Sequence, residues 1–221
     1  MLRNVLLYLH IVAGFSALAT AVIATLAKML NLAHRWHLYS GRIFFGSMVM
    51  IFLTAAPLSI ITASVFLLLV AIFSFYLAFS GWRYARNRHG TPQRMDWVRS
   101  LGMLLVSLAM ASYGAYLLLS NDNNGITMLV FAGIGAALSI GDLKTLYAGG
   151  VTGKARIGRH LTMMLASAIA TITAFLVVNF TFKPSFVLWL APTLVITPII
   201  VVLNRNMRRG TSPRGRPQDE T

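Results

Sequence analysis

The sequence predicts an all-α, polytopic transmembrane bundle of seven helices, with the N-terminus outside and the C-terminus cytoplasmic. Three observations carry this. The 221 residues are 57% apolar and 11% charged, with a mean hydropathy of +0.72, whereas a soluble domain carries about 25% charged residues. Charge-free runs cover residues 4–27, 43–82, 100–121, 123–141, 161–182 and 184–204, and a span needs about 20 such residues. The cations fall in short clusters between these runs.

The run 43–82 would be about 60 Å long as one helix, twice a bilayer core, so it must fold back. The expected turn is Ala56-Pro57-Leu58-Ser59, where proline removes a helix donor. Helices are therefore expected over about 4–28, 38–57, 60–84, 97–119, 125–143, 159–181 and 185–204. If the first connection is cytoplasmic, 17 of the 19 cations lie inside and only Arg3 and Lys183 lie outside, as the positive-inside rule requires. A cleaved signal peptide, suggested by Arg3 and Thr25-Leu26-Ala27, is the weaker reading. The apolar stretch is too long, and cleavage would leave Lys28, Arg35 and Arg42 outside.

The spans make one domain, 1–204. The remainder, 205–221, is basic and rich in Gly and Pro. It is expected to be a disordered cytoplasmic tail that anionic lipid can hold. The net charge of +14 is a topology signal in this setting, so the expected partners are the bilayer and its anionic lipids rather than nucleic acid. Protein partners are not specified. The absence of cysteine excludes disulfides, thiolate metal sites, iron–sulfur clusters and thiol catalysis.

The first span carries His10 about two turns in, with Gly14 one turn further. An imidazole inside a membrane is costly unless it faces the bundle interior or a wet cavity. His10 is thus either a ligand or proton site in the outer half, or a buried histidine bonded to one carbonyl or hydroxyl. Residues 33–42, Ala-His-Arg-Trp-His-Leu-Tyr-Ser-Gly-Arg, join the first two spans. Arg35 and Arg42 suit lipid phosphates, and Trp36 and Tyr39 suit the interfacial belt. His34 and His37 share a face if this segment is helical. The third span is bulky and is read as lipid-facing scaffold, with Ser74, Tyr76, Ser80 and Gly81 as its notable polar or small positions. His89 falls in a basic, turn-rich loop, and Asp96 suits a helix N-cap.

The fourth and fifth spans show Ser107, Ala111, Ala115 and Gly133, Ala137, Gly141 at four-residue spacing. Such stripes permit close backbone approach in lipid, so these two helices are expected to be central. Asp142 is a carboxylate at the edge of a span, to be neutralised by Lys144 or by an imidazole or arginine of the inner face. Gly149–Lys154 lacks the spacing of a phosphate loop. The sixth span places His160, Met164, Ser167 and Thr171 on one face, with Thr173 and Asn179 beyond. It is the most polar span and should face the interior. Pro192 and Pro198 should kink or interrupt the seventh.

Two groupings follow. The inner group is His34, His37, His160 and Asp142; the outer one is His10 and Asn179. His10 and His37 are about 25 Å or more apart, so they cannot ligate one metal. A bis-histidine haem b is possible only from the inner group, with His37 and His160 as candidate axial ligands. There is no HExxH, catalytic triad or carboxylate pair, which removes support for metalloprotease and hydrolase readings.

The pattern His10-x-x-x-Gly14, then His37-x-x-x-Gly41-Arg42, then His160 and the Ala174–Asn179 helix end resembles a family of bacterial predicted multi-pass membrane proteins, a domain of unknown function. The resemblance implies a bacterial inner-membrane location and draws weight to His10, His37 and His160 without giving them roles. His89 and the arginine-rich tail lie outside it. Three functions remain open. One is a haem-binding redox protein exchanging electrons with quinone. Another is a transporter or small-molecule-binding protein with His10 and Asn179 in an outward cavity and Asp142 and His160 inside. The third is a membrane scaffold subunit.

Overall fold

The computed structural model describes residues 1–30 and 32–208, with nothing given for the side chain of Arg208. The basic tail expected from 205 onward lies, from 209, outside the described residues. Among the described residues there are seven α-helices and no strand: α1 Leu2–Met29, α2 His34–Ile61, α3 Val65–Arg86, α4 Arg94–Leu119, α5 Asn124–Tyr147, α6 Gly153–Asn179 and α7 Phe186–Arg208. Every one is long and apolar enough to cross a bilayer. The chain is a multi-pass membrane protein.

Successive helices run antiparallel. The α1–α2, α3–α4 and α5–α6 connections therefore share one end with the C-terminus of α7, here called the basic end. Two of those connections touch: Gly90 (φ +75°) and Gly150 (φ +101°) meet backbone to backbone. A side chain at Gly150 would run into the Gly90 carbonyl, so both the close approach and the positive φ require glycine there.

The first hairpin turns later than the sequence suggests. α2 runs through Pro57 to Ile61, and the reversal is made by Thr62, Ala63 (φ +49°) and Ser64. Proline costs the helix one donor, whereas the turn needs several backbone groups satisfied. Thr62 N–H reaches Leu58 O at 2.9 Å and Ser64 N–H reaches Ser59 O at 2.9 Å. Ser64 Oγ then accepts from Leu67 N–H at 3.3 Å and caps α3. α7 likewise stays helical through Pro192 and Pro198. Asp96 sits one turn inside the expected cap: α4 is capped by Gln93, whose N–H donates to Asp96 Oδ2 at 3.0 Å.

α3 is the correction of most consequence. Rather than a lipid-facing scaffold, it is the helix most enclosed by protein, packed against α2, α4, α5 and α6. Its Tyr76, Leu77, Ala78, Ser80, Gly81 and Tyr84 are buried. α6 is its central partner and also touches α1 and α7. The expected central pair, α4 and α5, is a peripheral hairpin. Its interface uses Ser107, Met110, Gly114 and Gly135, while Ala115, Gly133 and Ala137 are exposed. Close approach falls at Gly114 and Gly125, where a Cβ would meet Leu129 at 3.0 Å and Leu118 at 2.7 Å respectively.

Candidate functional site

Two side-chain groups occupy the basic end, and both hang on α3 and α6. The first is a histidine pair. His37 lies in the first turn of α2, and its Nδ1 is 3.0 Å from Ala24 O of α1. His160 lies in the second turn of α6, and its Nδ1 is 2.8 Å from Gly81 O of α3. A carbonyl only accepts, so each Nδ1 carries the proton and donates, which leaves the Nε2 lone pair of each ring unused. The ring centres are 6.4 Å apart and the planes cross at 88°.

The local sequence explains the pair. Gly81 lets α6 approach α3 so closely that a Cβ there would meet Met164 Sδ at 2.6 Å and its backbone N at 3.1 Å. That contact brings the Gly81 carbonyl to the imidazole. On the other side, Gly41 stands one turn after His37, and a Cβ there would meet no atom within 4 Å.

The second group surrounds Asp142, which has no exposed surface. Tyr76 Oη donates to its Oδ2 at 2.9 Å and Tyr84 Oη to its Oδ1 at 2.8 Å. Arg99 Nη2 stands 3.4 Å from Oδ2 and Arg159 Nη1 3.3 Å from Oδ1. Arg159 also donates to Gly141 O and Thr145 Oγ1, both at 2.7 Å. Arg83 makes a two-point bond to Asp96, at 2.8 and 3.0 Å, and Arg156 donates to the Tyr84 and Ala85 carbonyls that close α3. The neutralising cations are thus arginines, not Lys144. Arg99 stacks over the Tyr84 ring at 5.1 Å, yet its Nε and Nη1 have no hydrogen-bond partner. Beside it, Arg83, Tyr84, Asp96 and Arg99 line a cavity of about 20 Å³, room for about one water.

The other candidates are placed apart. His10 lies toward the opposite end, with Nδ1 3.0 Å from Thr54 Oγ1. That hydroxyl already donates to the Met50 and Ile51 carbonyls, so it accepts from the imidazole. Asn179 is exposed, and its amide donates to Phe175 O at 2.8 Å. His34 and His89 are exposed. Among the described residues no three His, Asp or Glu side chains could hold a metal ion together.

The comparisons with known proteins add no relative. No family model, no curated protein and no solved structure matches the chain.

Sequence reasoning missed Gly81, Tyr76, Tyr84, Arg99 and Arg159. Arg99 and Arg159 fall within the expected helices 97–119 and 159–181 but enter the sequence reading only as cations of the inner side; they lie inside α4 and α6. The signal was the intramembrane carboxylate itself, because a buried charge implies a buried partner.

Proposed function

We propose that this chain is a haem-binding redox protein of the membrane, in which His37 and His160 would hold one haem b. The observation that carries the reading is the pair's geometry. The ring centres stand 6.4 Å apart with their planes crossed at 88°, close enough that both imidazoles could hold one group between them. Each ring is held by its other nitrogen to a backbone carbonyl. This outer-shell bond is characteristic of metal-ligating histidine, fixing ring orientation and raising the basicity of the ligating nitrogen. Two imidazoles with no third protein ligand suit a metal whose remaining ligands come from a macrocycle.

The bound haem would supply one-electron chemistry. The chain's own part is to hold two imidazoles crossed, one on the α1–α2 hairpin and one on the α3–α6 contact. The charge distribution supports a topology with the N-terminus outside and the basic end cytoplasmic. The His-x-x-x-Gly-Arg pattern supports a bacterial inner membrane, and the candidate ligands then lie toward its cytoplasmic side.

The test is the absorption spectrum of detergent-purified protein expressed with ample haem, oxidised and then reduced with dithionite. A Soret band with sharp reduced bands is expected, and His37→Ala and His160→Ala should each abolish it. Stoichiometric haem that survives both substitutions overturns the assignment, as does a featureless spectrum from the parent protein.

A further inference from the structure

A large cavity lies on the far side of α6 from His160. α7 packs along α6 and only lightly against α5, leaving a groove of about 750 Å³ between α3, α5, α6 and α7. On α6 it runs from Lys154 to Thr173, about 28 Å along the helix axis. Its occupant must be long and thin, close to the ~30 Å depth of a hydrocarbon core.

The two ends differ in chemistry. The body is apolar, with Phe73, Leu77 and Phe131 at its wall. The mouth at the basic end carries Lys154, Arg159 and Arg205. No carboxylate lines the groove, and neither Lys154 nor Arg205 has an ion-pair partner among the described residues. Along the groove Thr173, 2% exposed, has a hydroxyl with no hydrogen-bond partner. An apolar gas would not need the cations, a cation would be repelled by them, and a compact polar solute would find few partners in the body. An acyl chain with an anionic head satisfies both ends.

We propose that this groove binds a single anionic phospholipid. Its phosphate lies between Lys154 and Arg205, with Arg159 behind, and one acyl chain extends along α6. Arg159 is the point of contact with the interior, because it also holds Asp142. The proposal is independent of haem, and its test reads lipid alone.

The full chain, purified in mild detergent and stripped of lipid, is titrated with phosphatidylglycerol or phosphatidylcholine of identical acyl chains and read by native mass spectrometry. One phosphatidylglycerol per chain is expected, preferred about tenfold or more over phosphatidylcholine. Lys154→Gln with Arg205→Gln should remove the preference. Both positions are exposed, so the fold should persist, as the elution profile will show. Ala170→Phe, which fills the groove from α6, should reduce occupancy by either lipid. Equal binding of the two lipids by the parent protein, a preference unchanged by Lys154→Gln with Arg205→Gln, or an occupancy unchanged by Ala170→Phe identifies annular lipid only and overturns the proposal.

Discussion

Replacing Asp142 by asparagine tests the interior most directly. The side chain is fully buried and meets two tyrosine hydroxyls and two guanidinium groups. Asparagine keeps the shape and one acceptor oxygen but removes the charge. A hydrogen bond to a charged group is worth about 1.5–3 kcal/mol and an ordinary one about 0.5–1.5 kcal/mol, so the two tyrosine bonds together lose roughly 2 kcal/mol. Arg99, with a side chain only 7% exposed, also loses its nearest counter-charge. Arg159, at 29% exposed, can turn toward solvent and adds less. The sum falls at about 3–5 kcal/mol, the usual cost of breaking a buried pair from one side. Arg99→Met should also cost, about 2–3 kcal/mol, because it strips the buried Asp142 of one of its two guanidinium groups, while Arg159 and the two tyrosines still serve the carboxylate. The double variant should be more stable than Asp142→Asn alone. Equilibrium unfolding in mixed micelles of mild detergent and dodecyl sulfate measures all three. A loss below about 1 kcal/mol for Asp142→Asn or for Arg99→Met would refute a charged, arginine-neutralised Asp142.

Three further outcomes are expected. Gly81→Ala drives a methyl into Met164 and its backbone; it should destabilise by about 1–3 kcal/mol and reduce haem content, both measured on the purified variant. His10→Ala leaves Thr54 its two carbonyl bonds, so stability should fall by about 1 kcal/mol with the haem spectrum unchanged. The chain has no cysteine, so single substitutions report topology cleanly: in intact cells an impermeant maleimide should label Ser185→Cys and spare His89→Cys, and the reverse pattern would invert the orientation.

The helices were legible in the sequence because a bilayer sets their length, and their order because an odd number of spans follows from six charge-free runs with one doubled. Which face of each helix meets protein was much harder to read. Lipid chains are as apolar as leucine, so hydropathy does not separate the buried face of α3 from the exposed face of α1. The legible signal in α3 was polar: Tyr76, Ser80, Gly81 and Tyr84 recur at helical spacing and all turn inward. Small-residue spacing misled in α5, where Gly133 and Ala137 fit the pattern but Gly135 makes the contact. The pairing of His37 with His160 could be anticipated, because both stand near the basic ends of their helices and only an inner pair is close enough. The carbonyls that orient them could not, since they belong to Ala24 and Gly81, residues with no functional side chain.

The two groups at the basic end are not separate structures. Gly81 and Tyr84 are one turn apart on α3; the first orients His160 and the second bonds Asp142. Arg159 and His160 are adjacent on α6, and the first pairs with Asp142 while the second faces His37. A shift of α6 against α3 would therefore pull Arg159 from Asp142 and misplace the imidazole together. The polar bonds around Asp142 have directions, whereas apolar packing in lipid tolerates sliding. The cluster thus locks the helix register on which the histidine geometry depends. A carboxylate buried at such cost is better explained as an anchor for that register than as a ligand in its own right.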